Sequence, residues 1–299
     1  MKKYEKIIGM IALACLMLAL CFGAYGYLSG GIEAEKIPKE HIKNVTQTVK
    51  AKKTLRLDSD VNDVTIETYK GKDIKVIYPK SKKNPITITE DDATLQIKDS
   101  GNWTKPRTSV HFLTFDLLKD IHKGVRIGFE SGYRITILVP KGYQFDDLNL
   151  HLPAGSLDLS DISAQKATIT LSAGELQLDK VMFKEGNLNL SVGSLVISNS
   201  VLNQFDYQLN TGDLDITNSQ LGQTRGKLSL GNFTGDGLIF KGKNTLESHV
   251  GDVFISLKEL NLLVTTKGNV GDTNITPSLK DSDTNRLEIK NNLGNVTIQ

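Results

Sequence analysis

Five acidic side chains sit where a repeated turn could gather them around a cation. Asp213, Asp252 and Asp272 each follow a glycine, and Asp158 and Asp215 lie three residues beyond one. Calcium takes about six to eight oxygen ligands, and calcium-binding rolls supply them from Gly-Gly-x-Gly-x-Asp turns. Here the residue after the glycine is Ser156, Glu175, Ser194, Asp213, Asn232, Asp252, Asp272 and Asn295 in turn. A mixture of Ser, Asn and acid reads as solvent-facing turn chemistry, so no metal is expected.

Other chemistry is equally thin. The histidines, His41, His111, His122, His151 and His249, show no His-x-x-x-His pairing. No Gly-x-Ser-x-Gly elbow occurs, and Gly124-Val125-Arg126-Ile127-Gly128 lacks the Lys-Ser of a phosphate loop. Both cysteines, Cys15 and Cys21, lie in an N-terminal apolar run, leaving the rest of the chain without thiolate ligands, nucleophile or internal disulfide. With 36 basic against 34 acidic residues there is no electrostatic footprint for nucleic acid. The residues therefore predict no catalytic group and no cofactor.

The elements that carry these side chains are more informative. The turn glycines Gly155, Gly174, Gly193, Gly212 and Gly231 are 19 residues apart; Gly251 and Gly271 follow at intervals of 20, and Gly294 at 23. Three positions before the glycine stand Leu152, Leu171, Leu190, Leu209 and Leu228; five before, Leu150, Ile169, Leu188 and Tyr207. Two after it stand Leu157, Leu176, Leu195, Leu214 and Phe233, and four after it Leu159, Leu178, Ile197 and Ile216. A third apolar site is expected at Ile162, Val181, Val201 and Leu221. Two short alternating strands and a third inward contact per period describe a parallel β-helix or β-solenoid of about 19–20 residues per coil. One coil cannot cover its own open ends, so stability requires several stacked copies.

Residues 143–299 are expected to form this regular glycine-turn solenoid, and 51–142 an irregular N-terminal β region and cap. Within the latter, Leu55-Arg56-Leu57 and Val64-Thr65-Ile66 read as a degenerate opening coil, and Arg134 to Val139 as a strand closed at Pro140-Lys141-Gly142. Toward the C-terminus the column three before the glycine becomes Ser248, Gly268 and Asn291, and 277–286 read as an inserted loop. The final coil is thus expected to be a polar terminal edge. Trp103, Phe112, Phe115 and Phe129 concentrate aromatic rings outside the repeat. They read either as an interaction surface or as a plug for the N-terminal end of the stack.

Ahead of the repeats, residues 1–6 form a basic head and 7–28 an uncharged run of 22. As a helix this run spans roughly 33 Å, enough for a bilayer core. Lys2, Lys3 and Lys6 place the N-terminus in the cytoplasm and the remainder outside the cell membrane, with 29–50 as an extracytoplasmic spacer. A cleaved signal peptide competes through the small residues Gly23-Ala24-Tyr25-Gly26. Lipidation at Cys21 is disfavoured by bulky Leu20 before it. The uncleaved single-pass anchor is the favoured reading; all three export the chain.

The exported anchor, the Val139-Pro140-Lys141-Gly142 entry and the repeated Gly-(Asp/Ser/Glu)-Leu-x-(Leu/Ile) phrase resemble the bacterial "putative adhesin" family of β-strand-repeat domains of unknown function, which includes LiaG-like envelope proteins of Gram-positive bacteria. The resemblance covers roughly residues 50–299. It implies a β-solenoid at the cell surface and a link to envelope stress, and transfers no catalytic residues. The expected function is a non-enzymatic surface scaffold that meets an envelope protein or wall polymer. The alternative is an enzyme or lectin-like protein acting on wall polysaccharide.

Overall fold

The computed structural model describes residues 43–60, 63–80, 85–99, 134–276, 279 and 282–299. These form a parallel β-solenoid, and no helix occurs among them. The 7–28 segment and Trp103, Phe112, Phe115 and Phe129 lie outside the described residues.

The N-terminal part contributes β1 (Lys43–Val49), β2 (Thr54–Asp58), β3 (Asp63–Tyr69), β4 (Ile74–Lys80), β5 (Ile86–Glu90), β6 (Thr94–Asp99) and β7 (Arg134–Pro140). The regular coils follow as β8 (Gln144–Ser160), β9 (Ser163–Asp179) and β10 (Met182–Ser198), each a strand of 17 residues bent at its glycine. Later coils break into separate strands: β11 (Val201–Asn203), β12 (Phe205–Thr211), β13 (Leu214–Thr217), β14 (Gln220–Gly222), β15 (Arg225–Leu230), β16 (Phe233–Lys241), β17 (Lys243–Val250) and β18 (Val253–Leu257).

Each coil has three legs that pair in register with the next coil, 19 residues on. In the coil of β9 the first leg is Ser163–Ala164, the second Lys166–Leu171 and the third Leu176–Asp179, paired with Met182–Phe183, Glu185–Leu190 and Leu195–Ser198 of β10. Leucine columns of the second and third legs are fully buried, from Leu150 and Leu152 through Leu188 and Leu190, and from Leu157 and Leu159 through Leu214 and Ile216. Neighbouring parallel rungs lie ~4.8 Å apart, so each column packs against its own kind.

The third inward contact differs from expectation at one residue. Val201 is only half-buried, and Leu202 is the buried side chain of its leg. Strict 19-residue spacing resolves two columns here. One is Ile162, Val181, Ser200, Ser219 and the other Ala164, Phe183, Leu202, Leu221. The serines survive in the core because each hydroxyl is saturated. Ser200 Oγ accepts from Val181 N at 3.0 Å and donates to Ser198 O at 2.6 Å; Ser219 Oγ accepts from Ser200 N at 3.0 Å and donates to Thr217 O at 2.7 Å.

Both ends of the stack depart from chain order. At the N-terminal end β2 lies between β6 and the second leg of β8, and β3 between β7 and the third leg of β8, all parallel. The opening coil read from Leu55–Leu57 and Val64–Ile66 is therefore present, but the later β6 and β7 cover it. Antiparallel strands extend this end: β5 on β6, β4 on β7 and β1 on β4. Strand β1 also corrects the spacer expected over 29–50. Residues 43–49 join the folded body, where the β-branched alternation of Val45, Thr46, Thr48 and Val49 suits a strand.

The C-terminal end mirrors this. Its strands are β19 (Leu263–Val270), β20 (Thr273–Ile275), β21 (Arg286–Leu293) and β22 (Val296–Ile298). The last strands in sequence, β21 and β22, sit directly on β17 and β18; β19 and β20 lie outside them. The final coil is thus not the polar edge that the sequence suggests. Its Leu287, Ile289, Val296 and Ile298 are buried, and the exposed edge is the coil before it, carrying Thr266, Lys267 and Gly268.

Candidate functional site

The turn glycines form a column at the corner between the second and third legs, with φ between 126° and 143°. A Cβ on Gly193 would lie 1.7 Å from the carbonyl oxygen of Gly174, and one on Gly212 1.6 Å from that of Gly193. No side chain fits between stacked backbones at that separation, so this column requires glycine. The next corner, leading into the following coil, is left-handed and occupied by Asp161, Lys180, Asn199, Asn218 and Gly237, with φ from 46° to 62°. The glycines alone drew attention in sequence. The second column keeps the same 19-residue spacing, but its mixture of Asp, Lys, Asn and Gly hides it in the sequence.

The acids after the glycines form a ladder, not a cation site. Asp213 Oδ1 accepts from Asn232 N at 2.9 Å, Asn232 Oδ1 from Asp252 N at 3.0 Å, and Asp252 Oδ1 from Asn295 N at 2.7 Å. Asn295 Oδ1 then accepts from Asp272 N at 3.0 Å, following the rethreaded order of the rungs. Among the described residues no three His, Cys, Asp or Glu side chains converge to hold a metal. On the third leg, burial pushes the Asp158 carboxyl above the ordinary carboxylate value, against the pull of Arg134. At the left-handed corner Asp179 is held below it, chiefly by the Asn199 amide at 2.8 Å and also by the Ser198 hydroxyl at 2.9 Å.

Two surface features stand out from this lattice. The first is a groove of about 460 Å³ along the outer face of the second leg. Its two outward columns run Asn187, Asp206, Arg225, Thr245, Glu288 and Asn189, Gln208, Lys227, Glu247, Lys290. Arg225 folds back on Asp206 as a two-pronged pair, Nε to Oδ1 at 2.7 Å and Nη2 to Oδ2 at 2.5 Å. Arg225 is thereby turned toward Asp206, and Thr245 stands between it and Glu288 in the column. Beneath this face the core is also irregular: Gly226 takes an inward position, and the buried Tyr207 ring occupies the space its side chain would need. Burial pushes the Tyr207 phenol pKa upward, so it carries no charge.

The second feature is an apolar ridge immediately before the glycine corner. Val192, Leu230, Val250, Leu293 and Val270 are 39% to 60% exposed. In spatial order the last four occupy consecutive rungs, joined by bonds from Gly231 N to Val250 O, Gly251 N to Leu293 O and Gly294 N to Val270 O. Two-residue alternation from the buried leucine three before the glycine assigns this position inward. The corner glycine rotates it out, which is why the sequence pattern concealed it. His41, His111 and His122 lie outside the described residues; of the two described histidines, His151 lies outward on the second leg, and His249 Nδ1 lies 3.3 Å from Leu228 O at the end of that leg near the ridge.

The groove thus brings paired charges and side-chain amides to one face of the second leg. The stacked glycine-corner rungs define an all-β repeat domain. Residues 52–299 match the family described as Toastrack DUF4097, and the chain belongs to that family. Among solved structures, the chain is similar to a "putative lipid binding protein" from Parabacteroides distasonis ATCC 8503, with 10% identity, TM-score 0.49, and coverage of 86% of this chain and 97% of that one. It is also similar to a "putative adhesin" from Parabacteroides merdae ATCC 43184, with 12% identity, TM-score 0.46, and coverage of 86% and 97%. A "putative adhesin" from Bacteroides fragilis NCTC 9343 shares 13% identity at TM-score 0.38, over 88% and 99% of the respective chains. No curated protein matches the chain.

Proposed function

We propose that this protein is a non-enzymatic module of the bacterial cell surface, held at the membrane by residues 7–28, that recognises a polar polymer of the envelope through the second-leg groove. The observation that carries the reading is the groove itself. It presents a bidentate Arg225–Asp206 pair, flanking amides from Asn187, Asn189 and Gln208, and charges of both signs on a rigid lattice. Planar amides, carboxylate and guanidinium at fixed spacing suit a ligand rich in hydroxyls or in mixed charge, with the scaffold's order already established before binding. A surface scaffold of this kind fits a role in reporting envelope state, the sense in which the family resemblance points to envelope stress.

The test is binding of the full chain, in detergent or vesicles, to a panel of wall polysaccharides and wall peptides, with release of fragments followed in the same samples. Arg225→Ala is expected to weaken binding of the polymer that scores, by about tenfold for the loss of one charge-assisted bidentate contact. Retained binding by this variant removes the groove from the proposal. Oligosaccharide release by the unmodified chain would replace the module with an enzyme acting on wall polysaccharide.

A further inference from the structure

Among the described residues, two buried side-chain oxygens lack a hydrogen-bond partner, Ser248 Oγ and Asn291 Oδ1. Both residues are 1% exposed, and they are register partners across one seam of the stack, where β17 meets β21. They stand in the inward column three before the glycine, after Leu228 and ahead of Gly268. Other buried polar side chains are bonded. Ser200 and Ser219 donate to the backbone, and Asn244 Oδ1 accepts from Thr224 N at 2.8 Å while its Nδ2 donates to Lys241 O at 3.1 Å. Asn291 Nδ2 donates to Gly294 O at 2.8 Å, but that bond lies within its own coil. An unbonded buried oxygen gives up its hydration without replacement, so it weakens the contact that buries it.

Three further features mark the same seam. The middle coils pair on three legs, but the first-leg strands end at Ile239–Lys241 of β16; β19 to β22 lie on the second and third legs alone. Ion pairs fall to either side. Arg225 holds Asp206 in the body, and Lys267 Nζ lies 3.4 Å from Glu288 Oε1 between β19 and β21. Among the described residues none joins β17–β18 to β21–β22. Finally, between β17 and β22 the chain crosses the seam once, through residues 258–262, so the two sides can part without threading.

We propose that β19–β22 form a cap that opens as one unit at this seam, swinging on residues 258–262 and uncovering the edges of β17 and β18. The backbone ladder and the register partners Leu246 and Ile289, Val253 and Val296, and Ile255 and Ile298 hold the cap closed. The two unbonded oxygens keep the margin of that closure small, because opening rehydrates both. Opening also takes Glu288 and Lys290 away from Arg225, Lys227 and Glu247, so the groove is complete only in the closed chain. The cap itself does not rest on what the groove binds.

Native-state hydrogen exchange of the full chain in detergent tests the cap. Expected is one common rate for the slowest amides of 263–275 and 286–299, about tenfold or more above that of 166–198. Ser248→Ala removes one unbonded oxygen and little else, and is expected to slow exchange of the cap about tenfold. Ser219→Ala deletes a bonded hydroxyl in the middle coils instead, and leaves exchange of the cap unchanged. Fast exchange of 263–275 beside slow exchange of 286–299 is fraying of the outer rung and overturns the cap. Exchange of both segments at the rate of 166–198 overturns it as well. A cap that Ser248→Ala does not slow overturns the part assigned to the unbonded pair.

Discussion

A single methyl group separates the two kinds of glycine in this chain. At Gly193 it would meet the stacked carbonyl of Gly174 at 1.7 Å, whereas at Gly142 nothing lies within 4 Å. Gly193→Ala is expected to destabilise by more than ~4 kcal/mol or to prevent folding. Gly142→Ala carries only the strain of its positive φ, about 1–2 kcal/mol. Thermal melts of the two variants side by side check the difference. Asp158 supplies a pH-dependent counterpart. Its folded pKa is raised above 3.8 by burial, so its protonated form favours folding, and that contribution is lost as pH rises through the folded pKa. Asp158→Asn lacks this loss. Its stability relative to the parent should increase from about pH 3 to neutral pH and then level off; a difference that does not change with pH contradicts the assignment. The acid at 158 was visible in the sequence, but its burial was not, because outward positions of the third leg look alike in a pattern of alternating residues.

At the scale of the element, legibility followed stacking. Columns in which one residue type is sterically or energetically required, such as the corner glycines and the leucines of the second and third legs, repeat clearly enough to be counted from sequence. Columns satisfied by several chemistries were blurred. The left-handed corner accepts Asp, Lys, Asn and Gly; the inward column of the first leg alternates between aliphatic side chains and serines that bond to the backbone. The post-glycine ladder shows the same blurring, since Asp and Asn serve equally as acceptors for the next rung's N–H. The apolar ridge was obscured for a different reason: the glycine corner changes which side of the strand faces inward, so the rule that locates buried residues misassigns the residue just before it. The groove was not legible at all. It depends on Arg225 folding onto Asp206, a contact between residues 19 apart that no local pattern records.

At the scale of the whole molecule, the order of the rungs is a property of the three-dimensional path alone. Any glycine phrase can stack on any other, and the lengthened intervals near Gly271 and Gly294 do not say which coil lies outside. The rethreaded end makes a sharp prediction. Removing residues 286–299 takes away β21 and β22, the only described partners of β19 and β20. Truncation after Asn285 should therefore abolish amide protection over 263–275 as well as exposing β17 and β18. A stack in simple chain order would keep 263–275 protected on β17 and β18. Hydrogen exchange across these strands distinguishes the two.

The same threading constrains the order of events as the chain is made. The rung of β2 and β3 waits for β6 and β7, and the rung of β19 and β20 waits for the final residues, so neither end can be completed from the sequence that precedes it. Only the middle coils can close progressively as they emerge. Gains or losses of whole 19-residue units are therefore accommodated between β8 and β16, and the two ends must be inherited as closures.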